Sequence, residues 1–254
     1  LLKYSTIIQE SAFPSSPKNL IRKLQATRPI CYQPFGQGID MKKRLMIIST
    51  AMLLSLFSYA QNDWKLKDDK DGIKIYTKTV ANSNLKAIRV KVAVPATLSQ
   101  LVAIILDISS AKDWVYSTKS ASLIKQVSPS ELFYYSEVEL PWPITNRDFV
   151  AHLIATQDAK TKVVTIDGPV VRDYVPEKKD IIRVRNSYGK WVLTPLQNNM
   201  VYIDYTLETD PGGTIPVWLV NLFATKGPME TFKKLKVQLA KPTYKNLHLA
   251  FIKE

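Results

Sequence analysis

The stretch Pro141-Trp142-Pro143-Ile144-Thr145-Asn146-Arg147-Asp148-Phe149 decides how the surrounding chain folds. It separates two segments that alternate as strands do, Leu132 to Leu140 and Phe149 to Thr156, and its prolines forbid a simple two-residue hairpin between them. Each proline fixes φ and lacks a ladder donor, so the pair holds the large Trp142 ring on a stiff, unpaired arch. Arg147 and Asp148, neighbours in extended chain, point to opposite faces, and each needs its own partner.

Working outward, period-two segments dominate: Ser120 to Val127, Glu131 to Leu140, Phe149 to Thr156, Val163 to Ile166, Ile181 to Val192 and Met200 to Thr209. Ser128-Pro129-Ser130, Asp158 to Thr161, Asp167-Gly168-Pro169 and Gln197-Asn198-Asn199 read as reversals between them. Upstream, Asp63 to Lys70 reads as a short helix, and Ile73 to Lys78 with Leu85 to Val94 as a hairpin. Leu98, Leu101, Val102, Ile105 and Leu106 recur at helical spacing, and Ser109 to Trp114 adds a short helical turn. Thr214 is a candidate N-cap, with Pro216 close to the first turn of a terminal helix. That helix carries Trp218, Leu219, Leu222 and Phe223, then Phe232, Leu235 and Leu239 beyond a kink at Gly227-Pro228. Consecutive strands with short connections followed by one long helix predict an α+β fold with an antiparallel sheet.

Alternation defines the inner surface. Arg147, Phe149, Ala151, Leu153 and Ala155 share one face of their strand; Leu132, Tyr134, Ser136 and Val138 share another, as do Val201, Ile203, Tyr205 and Leu207. The two alanines leave room for either a packed helix or a ligand. The acidic faces, with Glu137, Glu139, Asp204 and Glu208, are expected to meet water. Arg147 either orients a ligand in an apolar space or pairs with a carboxylate elsewhere in the sheet. Tyr134, Ser136 and Tyr205 offer neutral hydrogen bonds, or are ordinary core and surface hydroxyls.

A second block, Asp210-Pro211-Gly212-Gly213-Thr214-Ile215-Pro216-Val217-Trp218-Leu219-Val220-Asn221, is followed by Gly227-Pro228. With the first block and Trp114, in this order, it resembles the StAR-related lipid transfer (START) domain family over roughly Trp64 to Leu239. The resemblance implies a helix-grip fold: a curved antiparallel sheet wrapped around a long C-terminal helix, enclosing a hydrophobic tunnel for one lipid. It also implies a gate made by Leu140 to Asn146 and the terminal helix, with Trp142 and Trp218 flanking the entrance unless their rings pack together to close the core. Tyr134, Ser136, Val138, Trp142, Arg147, Phe149, Ala151, Leu153, Ile203, Tyr205, Trp218, Leu219, Leu222 and Phe223 are the candidate ligand-binding residues. Phosphatidylcholine carriers of the family have an arginine and an aspartate where this chain has Ala111 and Val115. The resemblance therefore does not extend to phosphocholine recognition.

Before the fold, Met41 is followed by basic Lys42-Lys43-Arg44, apolar Leu45 to Phe57 and small-x-small Ser58-Tyr59-Ala60. This is the order of a secretory signal peptide, 41–60, with cleavage expected after Ala60. Residues 1–40 have no apolar periodicity and read as an upstream extension outside the fold, or as a cytoplasmic tail if residues 41–60 stay as an anchor. The expected domain is 61–254, exported to a periplasmic or extracellular compartment. The sole cysteine, Cys31, lies upstream, so no disulfide partner is expected. Of 35 basic and 22 acidic side chains, eight and two precede residue 61, leaving 27 and 20 and a net charge of +7. Such a surface suits transient contact with anionic membranes, while the absence of a basic aromatic stripe argues against nucleic acid.

Only His152 and His248 are histidines, and neither has metal-ligand spacing. No catalytic residue, metal or cofactor is assigned. The expectation is a monomeric, non-enzymatic carrier that binds and transfers or presents a hydrophobic ligand, a lipid above all. The alternatives are a hydrolase- or cyclase-type enzyme on the same fold and a lipid-sensing interaction module.

Overall fold

Asp71 and Gly72 both have positive φ, 54° and 73°, the backbone of a two-residue turn that matches strand twist. They join β1 (Lys65–Lys70) to β2 (Ile73–Thr79) in the computed structural model, which describes residues 64–79 and 86–254 together with Asp40. The helix expected over Asp63 to Lys70 is therefore a strand. Its polar sequence suits a solvent-facing edge, and backbone pairing with β2 holds it. The expected signal peptide lies outside the described residues, as does the upstream extension apart from Asp40. The described residues other than Asp40 belong to one compact unit, 61–254.

Beyond β2 come β3 (Lys86–Pro95), α1 (Leu98–Leu106), a 3-10 turn at Ile108–Ser110, α2 (Ala111–Trp114), β4 (Thr118–Ser128), β5 (Glu131–Val138), β6 (Arg147–Gln157) and β7 (Val164–Pro169). The strand expected over Ile181 to Val192 is split into β8 (Ile182–Arg183) and β9 (Asn186–Leu196). Then follow β10 (Met200–Asp210), α3 (Val217–Ala224) and α4 (Lys226–Leu239). The sheet order is β1-β2-β3-β10-β9-β7-β6-β5-β4, antiparallel throughout. β8 is the exception, lying parallel against the first two residues of β6.

α1 starts with a capping box, Thr97 and Gln100 each accepting from the other's backbone N–H. The Glu254 carboxylate also accepts from Leu98 and Ser99 N–H at 2.8 and 2.9 Å, a favourable place for negative charge. The tail past Pro242 is packed, with Tyr244 and Ile252 buried. One core joins Ile75, Val90 and Val92 of the sheet to Leu101 and Ile104 of α1 and to Phe232 and Leu235 of α4.

The terminal helix breaks at Thr225 (φ −130°, ψ −67°), two residues before the expected kink. Pro228 then falls in the first turn of α4, where no intrahelical N–H is required. Pro216, not Thr214, occupies the N-cap of α3 and makes no side-chain cap bond.

Candidate ligand-binding cavity

Arg147 and Asp148 do take separate partners. Asp148 is 1% exposed and receives Arg183 at 2.7 and 3.1 Å and the Tyr135 hydroxyl at 3.1 Å. Arg183 is its lateral neighbour in the parallel β6–β8 pair, which explains why so short a strand forms. The carbonyls of Val175 and Pro176 accept two further Arg183 N–H groups, so the chain before β8 covers this outer face. Glu137 is buried there too, at 5% exposure, and accepts from Lys119 at 2.8 Å and Asn146 at 3.1 Å. The Lys119 bond, ahead of burial, sets the direction and holds its pKa below 4.5. The expectation that the acidic face of β5 meets water fails at Glu137, because the covering segment was not apparent from alternation.

On the inner face, Arg147 is 3% exposed. Its Nε donates to Pro211 O at 3.3 Å, Nη2 to Gly212 O at 3.1 Å and Nη1 to Thr145 O. The carboxylate partner weighed as an alternative is absent: among the described residues Arg147 forms no ion pair. Burial lowers its pKa from the ordinary arginine value.

Arg147 forms part of the wall of a cavity of about 370 Å³ between the concave sheet and the terminal helix. Nine expected site residues line it: Tyr134, Val138, Arg147, Phe149, Ala151, Leu153 and Tyr205 from strands, and Leu219 and Phe223 from α3. Five do not. Ser136 is turned to the Ser120 carbonyl at 3.4 Å, and Ile203 is fully buried in the core. Trp142 is 92% exposed, Trp218 is 55% exposed, and Leu222 is half-buried outside the lining set. The two exposed tryptophans do not close the core.

The space exists because side chains are missing. Gly168 on β7 pairs with Gly189 on β9, and both face the cavity near Ala151. A Cβ at Gly168 would stand 2.8 Å from Leu153 Cδ2, whereas one at Gly189 would meet nothing closer than 3.8 Å. Alternation did not reveal this pair, since Gly168 read as part of a turn; the glycine inside the expected β9 strand was the available signal. Trp114, Trp191 and Phe232 also line the wall, with Trp191 centred 4.3 Å from the Tyr205 ring.

Tyr134 and Tyr205 carry hydroxyls without a hydrogen-bond partner among the described residues. Burial pushes the Tyr134 pKa up to about 12 and raises that of Tyr205 as well. Both hydroxyls therefore stay neutral donors at any ordinary pH. No cluster of metal-ligating groups occurs among the described residues. His152 stacks on Phe133 at 4.0 Å and bonds Glu131 at 2.7 Å on the outer side, away from the cavity.

A curved sheet gripping a broken terminal helix over an apolar cavity can be set beside known proteins. The START domain family profile matches residues 46–244. The chain belongs to the START domain family. An uncharacterized protein from Pseudomonas aeruginosa is 34% identical over 197 residues, covering 74% of this chain and 94% of that protein. Mouse phosphatidylcholine transfer protein is 27% identical over 189 residues, covering 72% of this chain and 86% of its own. Among solved structures, a STAR-related lipid transfer protein fragment from Xanthomonas axonopodis superposes with TM-score 0.65 at 30% identity, covering 71% of this chain and all of that fragment. Human STARD10, at 19% identity and TM-score 0.63, shares the START fold over 82% of each chain.

Proposed function

We propose that this chain is a non-enzymatic carrier that binds a lipid in its cavity and transfers or presents it in an extracytoplasmic compartment. The observation that supports this most directly is the cavity itself, walled mainly by apolar side chains, with no histidine, cysteine or carboxylate among its lining residues to activate the hydroxyls of Ser187, Thr209 and Thr231. Enclosing apolar surface there removes it from water, at roughly 25 cal/mol per Å². The START relatives named for lipid transfer agree with this reading. Their phosphatidylcholine specificity does not carry over, because Ala111 and Val115 both line the wall and bring no charge to it. The volume lies at the small end of the roughly 300–1,000 Å³ range for ligand pockets, which favours a slender ligand.

Opening occurs at the Trp142 arch and at the Thr225 break, the two irregular segments bordering α3 and β6. Trp142 and Trp218, exposed and amphipathic, suit the headgroup level of a bilayer during exchange. The order of residues 41–60 is what supports export. In a test with labelled lipid in donor vesicles, the protein moves intact lipid to acceptors at a rate proportional to its concentration, as a monomer. No acceleration over spontaneous exchange, or release of a chemically altered lipid, contradicts this. Recovery from the cytosol of a chain still carrying residues 41–60 contradicts the assigned compartment.

A further inference from the structure

Two buried arginines, Arg147 at the start of β6 and Arg183 on β8 beside it, point to opposite faces of the sheet and have opposite electrostatic fates. Arg183 is held by the Asp148 carboxylate. Arg147, equally buried and on the cavity side, is met by three backbone carbonyls and, among the described residues, by no anion. Carbonyl dipoles satisfy individual N–H groups but leave the charge uncompensated, and three of the five guanidinium N–H groups are used. Its surroundings are apolar: Val138 is its register partner, Phe149 follows it on the same face, and Pro211 and Ile215 line the wall nearby. A buried charge without a counter-ion in such a place is costly, and an incoming anion removes that cost.

We propose that the ligand carries an anionic end group, a carboxylate or a phosphate monoester, that seats against the remaining N–H groups of Arg147. Its apolar chain then runs past Phe149 and Ala151 toward Tyr205. This rests on the carrier reading and narrows it to single-chain acidic amphiphiles. Because Arg147 also binds the Pro211 and Gly212 carbonyls, the anion sits where the β5–β6 and β10–α3 connections meet.

The test compares hexadecanoate, hexadecyl phosphate and hexadecan-1-ol on the full chain, each displacing a neutral fluorescent probe. At least one anion should bind about tenfold or more tighter than the alcohol. The anion that wins separates a carboxylate from a phosphate ligand. In Arg147→Met the advantage should vanish while the alcohol still binds. A gap below about tenfold in the wild type, or a preference that survives Arg147→Met, overturns the proposal. Binding of the alcohol alone leaves the carrier reading standing without it, whereas binding of none of the three sinks both. If Arg147→Met does not fold, Arg147→Lys, which keeps the charge but loses the planar fork, should keep only part of the preference; undiminished preference there overturns the seat.

Discussion

At the scale of single residues, the Asp148 carboxylate and the hydrogen at Gly189 Cα have the clearest consequences. Asp148→Ala leaves Arg183 buried without its counter-charge, so urea unfolding should show a loss of about 3–5 kcal/mol. Tyr135→Phe removes one neutral donor to the same carboxylate and should cost only about 1 kcal/mol. A loss under about 1 kcal/mol for Asp148→Ala would mean that the pair is not what holds β8 to β6. Gly189→Val places a side chain into open cavity from a position whose Cβ makes only ordinary contacts. It should keep urea stability within about 1 kcal/mol, since valine suits a strand. Probe binding should nonetheless fall about tenfold or more, because the added carbons occupy ligand space. Wild-type binding in a folded Gly189→Val protein would show that the ligand does not use this space.

At the scale of elements, most strands were legible because one face of each is buried and alternation reports that directly. β1 was not: its residues are solvent-facing on both sides, and only the Asp71-Gly72 turn carried the signal. β8 is two residues long and rests on a charge pair that no periodicity reveals. The inward orientation of Arg147, Phe149, Ala151 and Leu153 was legible from alternation. The exclusion of Ser136, Ile203 and Trp142 from the wall was not, since it depends on tertiary placement: Ser136 turns to the Ser120 carbonyl, Ile203 packs into the core shared with α1, and the Trp142 arch stands out in solvent. The C-terminal segment gives an element-level prediction. Removing residues 251–254 exposes the pocket that Ile252 fills and strips Glu254 from the start of α1. The combined loss should be about 2–4 kcal/mol, seen as a lower urea midpoint. An unchanged midpoint would mean that the tail's packing adds nothing to the fold.

For the whole molecule, acid behaviour follows from the direction in which Glu137 is shifted. Its folded pKa is held below 4.5, chiefly by Lys119. The carboxylate therefore contributes stability that is present above the unfolded value and is lost as pH falls through the folded one. Thermal stability should decline below about pH 4.5, and Glu137→Gln should flatten that decline while lowering stability at neutral pH. A decline of equal steepness in the variant would assign acid sensitivity to other groups. Charge on the helix side is partly engaged within the fold: Lys233 pairs with Asp71 at 3.1 Å, and Lys236 Nζ donates to the Asp71 carbonyl at 2.9 Å. Both contacts are exposed, and such pairs break at little cost against an anionic surface.

Everything functional in this account depends on the cavity being a place for a lipid. Native mass spectrometry of the protein purified without detergent from its own cells, followed by solvent extraction, tests that most directly. One intact lipid per chain is expected, a single-chain species with an acidic end. A chain that emerges empty from every preparation, or one that holds a chemically altered product accumulating with turnover, would contradict it.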